Sequence, residues 1–434
     1  MALLELAARW AREQTGPPPR LEVATVDHRM RSDSAAEARF VGRVAAERGL
    51  AHVTLEWTDP RPASGLQAAA RAARYRLLAA RARELGGRRP AIVTAHTEDD
   101  VAETLLMRLA RGSGVDGLAS MRREGPLFSD PAVTLLRPLL GVSKDRLLAV
   151  LEDGNMRWIE DPSNERPEFE RVRVRRALPV LSEIGLGAPS VARSARRLLR
   201  ARRALEAVAG QAFLRCVTSV HDGVFLLIDR RAFDREPEDI RLRVLALALR
   251  LFGGSAAPVR QSAIEHVLDG LMQAERIAAT LGGCVLSAGR KAIRIYREPG
   301  RLNARDVELV AGATAVWDNR FRVGLLSGPV ACELTSRGPL TVRALGTGTG
   351  LGEALRARSG AASEWPARAV ATLPAFWRGP RLVAIPHLGA LDVGLAGPRQ
   401  DGHAVCTVAF QGFDAPKCAE LDEEPGENRN PDED

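Results

Sequence analysis

Five cysteines in 434 residues, Cys216, Cys284, Cys332, Cys406 and Cys418, stand far apart and form no C-x-x-C pair. That argues against a zinc knuckle, an iron–sulfur cluster or a disulfide framework, and fits a reducing compartment. No apolar run approaches the roughly 18 residues needed to span a bilayer. The N-terminus lacks the basic, apolar and small-residue succession of a signal peptide. The chain therefore reads as cytoplasmic, with no membrane partner. Lysine is scarce: Lys144, Lys291 and Lys417 are the only three among 62 basic residues. No internal repeat is visible.

What remains is an apolar content of 45%, enough for buried cores, in a chain long enough for two to four domains. The net charge is +8, but Glu420–Asp434 alone carries −7, so the preceding residues carry +15. A basic body suits an anionic partner, of which nucleic acid is the commonest. A GC-rich coding bias toward arginine accounts for the same composition.

Up to Pro179 the chain alternates helix and strand signals. Residues 1–14, 34–48 and 65–85 have helical apolar spacing, and "LEVATVDH" (21–28), "AHVTLEW" (51–57) and "AIVTAH" (91–96) read as strands. This alternation predicts an α/β fold, a parallel doubly wound sheet, with ligands at the carboxyl ends of the strands. His28 and His96 fall at two such ends. A long basic helix is expected at 188–214, where Arg193, Arg196, Arg197, Arg200 and Arg203 share a face. Helices at 236–252 and 258–279 and a hairpin at 283–298 follow. A small mixed α+β C-terminal domain and a disordered acidic tail close the chain. The expected domains are 1–187 (α/β), 188–300 (helical), 330–412 (small C-terminal) and 413–434 (tail).

The densest chemistry is "TAHTEDDVAETLLMRLARGSGVDGL" (94–118). Thr97 and Asp100 have capping-box spacing, and acids suit the first turn of a helix. That explains Asp99 and Asp100 without chemistry, but not His96 or Glu103. His96, Asp100 and Glu103 can share one rim, where carboxylates could hold an ammonium group or Mg²⁺. Zinc is disfavoured, because no H-E-x-x-H and no second histidine or cysteine is near. "RGSG" after the helix is either a stop or a backbone approach to phosphate. "VDHRMR" (26–31) is a loop that could carry ligands. "LQAAARAARYRLL" (66–78) puts Gln67, Arg71 and Arg74 on one helix face. In "WIEDPSNERPEFERVRVRR" (158–176) a turn precedes Arg171, Arg173, Arg175 and Arg176, a density that suits phosphate or carboxylate clamping, or a salt-bridged connector.

These segments, with "LLRPLL" (135–140) and "FERVRVRRALPVL", resemble the tRNA(Ile)-lysidine synthase family, an N-type ATP pyrophosphatase (PP-loop) family, in their order. The match is dense over about residues 20–185, looser in the middle and weak at "LTVRAL…FWRGPRLVAIPHLG". The resemblance implies a two-step ligation. ATP adenylates O2 of the wobble cytidine of an isoleucine tRNA, releasing pyrophosphate. The ε-amine of free lysine then attacks C2 and expels AMP. It implies ATP and Mg²⁺ as cofactors, His96, Asp100 and Glu103 as catalytic residues lining the lysine and cytidine pocket, and Asp27, His28 and Arg31 near the nucleotide. It further implies Asp99, Arg111, Arg171, Arg173, Arg175, Arg196 and Arg200 as substrate or tRNA contacts. Assembly is open, a homodimer being one option.

The family's S-G-G-x-D-S loop, which cradles ATP phosphates, is absent from these 434 residues. In the family a run like "MALLELAARW" directly follows that loop. The expectation is that the gene encodes roughly 25 further residues upstream, one strand plus one loop, with Met1 an internal methionine. The alternatives are a catalytically inactive tRNA-binding homologue or another PP-loop tRNA-modifying enzyme. A thiolation enzyme would typically carry paired cysteines, and the chain before Cys216 holds none. An amidotransferase-linked synthetase would carry a glutaminase module, which is not seen.

Overall fold

The structure, a computed structural model, describes all residues except 17–18, 30–33, 63, 88, 120, 160–167, 256–258, 303, 337, 348–364, 389, 392–405 and 412–434. Arg31, the turn at 161–164, the helix signal at 354–358 and the acidic tail lie outside the described residues. The chain divides into two compact units, Met1–Arg203 and Ala204–Asp434.

The first unit is α/β. Its elements are α1 (Ala2–Glu13), β1 (Glu22–Asp27), α2 (Ser34–Glu47), β2 (Ala51–Glu56), α3 (Leu66–Glu84), β3 (Ala91–Val93), α4 (Glu98–Leu109), α5 (Val115–Leu118), β4 (Glu124–Leu127), β5 (Asp130–Leu136), α6 (Lys144–Asp153), α7 (Glu170–Glu183) and the start of α8 (Ala188–Cys216). β1 and β2 pair in parallel, from Glu22 opposite Ala51 to Asp27 opposite Glu56. β3 and β5 also pair in parallel, and β4 folds back on β5 as an antiparallel edge.

Among the described residues these strands form two sheets, β1-β2 and β3-β5-β4. β1 and β3 therefore each present one edge without a strand partner. α3 packs on β1, β3 and β5 and so bridges the two sheets. Parallel strands are normally covered on both faces, yet Val93 of β3 is 42% exposed. The apolar core of this unit is correspondingly divided into four clusters. One joins α1, α2 and α6; one joins α4 to α8; one joins α3 to β3 and β5; the smallest gathers Trp57, Ala70 and Ala73.

The second unit carries the short α9 (Arg230–Arg235), the expected helices α10 (Glu238–Phe252) and α11 (Gln261–Gln273), and a five-stranded antiparallel sheet. That sheet runs β6 (Val217–Ser219), β7 (Phe225–Asp229), β10 (Ala292–Arg297), β9 (Cys284–Ala288) and β8 (Ile277–Leu281). The helix expected to reach residue 279 stops at Gln273. Ala274 is extended, and Ile277–Leu281 instead pairs with β9. The later strands, from β11 (Val307–Leu309) onward, form a further five-stranded and a three-stranded sheet. One buried charge network ties segments of this unit together. Asp318, with a side chain 3% exposed, accepts from Arg320 Nε at 2.6 Å and from Arg297 Nε at 3.0 Å. Both arginines then donate to backbone carbonyls, Arg320 to Thr372 and Arg297 to Gly283 and Arg301. Each buried charge of the network thus has a partner, as burial demands.

Candidate active site at the carboxyl end of β3

β3 ends at Val93, three residues earlier than the strand signal, because the chain turns to begin α4. Thr97, extended at φ −111°, is the N-cap. Its hydroxyl accepts from Asp100 N at 3.4 Å, and Asp100 Oδ2 accepts from Thr97 N at 2.8 Å. The capping box is therefore present. It uses one oxygen of Asp100 and leaves Oδ1 facing Arg171, 3.8 Å away. Three residues on, one helical turn from Asp100, Glu103 is 1% exposed. Arg175 Nε donates to its Oε1 at 2.6 Å, and Arg171 Nε lies 3.1 Å from Oε2. Arg171 also donates to Thr104 Oγ1 at 3.1 Å. The pairing with Glu103 raises the already high pKa of Arg175.

His96 closes this group. Its Nδ1 lies 2.8 Å from Thr94 Oγ1. Burial pushes the His96 pKa down to about 4; Asp100 opposes the shift, and Arg137, Arg71 and Arg171 add to it. The imidazole is neutral near pH 7. His96, Asp100, Glu103, Arg171 and Arg175 thus gather at one strand end from two segments far apart in the chain.

The other site residues fall elsewhere. Asp99 Oδ2 accepts from Lys144 N at 2.7 Å and so ties the start of α6 to α4. Arg111 pairs with Glu170. Gly112, at φ +69°, and the bond from Ser113 N to Arg108 O at 3.1 Å end the helix in a left-handed stop. Arg173 donates to Glu168 O at 3.0 Å. On α8, Arg196 and Arg200 are exposed, with Arg196 3.8 Å from Glu98.

A second cluster sits at the end of β1. Asp27 is buried and accepts from Arg29 N at 2.7 Å. Burial pushes its carboxyl up, but the hydrogen bonds from Arg29 and Ser34 and the nearby cations outweigh this and hold it below the usual range. The His28 ring stands edge-on to Trp57, with centroids 5.8 Å apart, and its Nε2 is 3.3 Å from Arg74. Burial and Arg74 lower its pKa. His28 Nδ1 is buried without a hydrogen-bond partner among the described residues. α3 serves both clusters, Arg74 at His28 and Arg71 near His96.

Sequence reading passed over Thr94, Thr104 and Arg137. Thr104 had a usable signal, since it follows Asp100 by four residues and so shares its helix face. A trough of about 690 Å³ runs along α3 beside Trp57, lined by Ala69, Ala73 and Ala80 and by the pairs Arg76–Asp59 and Arg83–Asp130. It holds neither His96 nor Glu103. Among the described residues no group of three or more His, Cys, Asp or Glu could hold a metal ion. The carboxylates of the β3 cluster face guanidinium groups, an arrangement that suits a cationic side chain more than a metal ion.

A mostly parallel α/β unit with titratable groups at its strand ends is the architecture of a nucleotide-dependent enzyme, and residues 1–181 match the PP-loop domain model. Over 69% of its length the chain is 41% identical to the tRNA(Ile)-lysidine synthase of Bradyrhizobium sp. (strain BTAi1), of which it covers 87%. It is 39% identical to the tRNA(Ile)-lysidine synthase of Ruegeria pomeroyi, over 85% and 82% respectively. The chain belongs to the tRNA(Ile)-lysidine synthase family, whose members are PP-loop ligases. No helix among the described residues is long and apolar enough to cross a membrane.

Proposed function

We propose that this protein ligates free L-lysine to C2 of the wobble cytidine of an isoleucine tRNA at the expense of ATP. In the first step cytidine O2 attacks the α-phosphorus of ATP and pyrophosphate leaves. In the second, the ε-amine of lysine attacks C2, the C2–O2 bond breaks, and AMP departs with the oxygen. Adenylation turns a poor leaving oxygen into a good one. The observation that carries this reading is the joining of His96, Asp100 and Glu103 at the carboxyl end of β3, beside Arg171 and Arg175.

Each residue has a role in that scheme. Asp100 Oδ1 and Glu103 receive the ammonium group of lysine and orient it. His96, neutral and tethered through Nδ1 to Thr94, presents Nε2 to the cytidine. Asp27 and His28 take the adenosine end of ATP, where the open His28 Nδ1 offers a hydrogen bond. Arg111, Arg173 and the exposed α8 residues Arg196 and Arg200 face the tRNA backbone. Asp99 acts through α6 as a positioning residue. Residues 1–203 form the catalytic part and later segments contribute tRNA contacts.

The test is lysine-dependent release of AMP and pyrophosphate, with incorporation of labelled lysine into an isoleucine tRNA carrying a wobble cytidine. Replacing that cytidine by uridine should abolish incorporation. The competing outcome is tRNA binding without turnover, read as tight tRNA binding with no pyrophosphate release.

A further inference from the structure

Glu103 is buried and its partners are not. The carboxylate side chain is 1% exposed, whereas Arg171 and Arg175 keep 38% and 41% of their side chains in solvent. The Arg171 contact is Coulombic only, since Oε2 has no hydrogen-bond partner among the described residues. Arg171 donates from a different nitrogen, Nη2, to Thr104. Both arginines project from α7, four residues and one turn apart, and Arg171 also faces Asp100. Two carboxylates therefore face two guanidinium groups. A further cation brought against the buried Glu103 while both guanidinium groups stay in place would add an uncompensated positive charge, which burial resists.

We infer that Arg175, with Arg171 beside it, is a resident stand-in for the ammonium group of lysine, so that lysine enters the Glu103 site by displacing these guanidinium groups and loosening α7 from α4. This inference rests on the reading of Glu103 as part of the lysine pocket. The displaced guanidinium groups, already near solvent, turn outward, where a phosphate of tRNA is their natural partner. The two ligands are then linked. An anion that draws Arg175 away clears the carboxylate for lysine, and lysine, by taking the carboxylate, releases Arg175 to the anion. Such coupling is reciprocal. The occupied carboxylate guards against lysine binding before tRNA is present.

The experiment is calorimetric titration of the full 434-residue chain with L-lysine, with and without an isoleucine tRNA transcript. The expected result is that tRNA tightens lysine binding to the wild type about fivefold or more, the usual scale of such coupling. Arg175→Gln should bind lysine tighter than wild type without tRNA, by a similar factor, and gain little when tRNA is added. Arg175→Lys, which keeps the cation, should stay near wild type. Arg171→Gln should shift in the same direction as Arg175→Gln, and it carries the test if Arg175→Gln does not give a cooperative melt. Unchanged or weaker lysine binding by folded Arg175→Gln, with binding lost in Glu103→Gln, overturns the displacement and leaves the lysine pocket standing. Lysine binding by Glu103→Gln equal to wild type, or none by wild type even with tRNA, overturns the pocket reading and the displacement together.

Discussion

Glu103 and Arg175 stand 72 residues apart in the chain and 2.6 Å apart in the fold. The carboxylate comes from the first turns of α4 and the guanidinium from the middle of α7. Their contact is one of several polar links between α4 and α7, since Asp100 and Thr104 on one helix also face Arg171 on the other. A site held by charge can be rearranged by charged ligands, whereas one held by apolar packing would resist.

Thr97 sets the direction of α4 and of one Asp100 oxygen. Thr97→Ala should lower stability by about 1 kcal/mol, the usual value of an N-cap, read as a shifted urea midpoint with unchanged slope. It should also reduce lysine incorporation, because the capping box that orients Asp100 loses its hydroxyl. Thr97→Ser should recover both. Lost stability with full activity would show that Asp100 is only a cap.

His96 should titrate near pH 4 instead of the ordinary 6.5. The unfolded chain then binds the proton first as pH falls. The contribution of His96 to stability is complete above pH 6.5 and is lost on descending toward pH 4. Its ring carbon resonances should move only at the acid end, and the pH–rate profile should show no limb from this residue above about pH 6. A ring titrating at 6.5 would contradict the burial.

The α8 arginines should act through the tRNA backbone alone. Arg196→Gln with Arg200→Gln should weaken tRNA binding regardless of anticodon sequence. It should also flatten the slope of log K against log salt by about 1–2. Lysine affinity without tRNA should not change. Selective loss for one tRNA would instead indicate base reading.

Asp318 neutralises Arg297 and Arg320 inside the second unit. Asp318→Asn keeps a residue that tolerates the φ of +50° found there but removes the charge. It should cost about 3–5 kcal/mol, the range for orphaning a buried ion, read by denaturant unfolding. A loss below about 1 kcal/mol, typical of exposed pairs, would mean that water reaches the network.

Much of the first unit was legible because its signals are local. Apolar spacing located α1, α2 and α3, arginine spacing located α8, and the Thr97–Asp100 spacing announced a cap that is present. The hairpin of β12 (Thr314–Trp317) and β13 (Phe321–Leu325) escaped notice. Its Asp318–Asn319 turn, with both φ near +50°, was the available clue. β3 came out shorter than its apolar run because capping of α4 claims Thr97 and the residues before it.

The pattern of residues was enough to assign the family, since it depends on which side chains follow which strand, and that order is written along the chain. It could not assign partners. Asp100 read as a cap that, with Glu103, could hold an ammonium group, and Arg171 and Arg175 as clamps for phosphate or carboxylate or as a salt-bridged connector, with no partner named for any of them. The fold brings them together because a carboxylate as deeply buried as Glu103 must find a counter-charge, and α7, far downstream in the chain, supplies it.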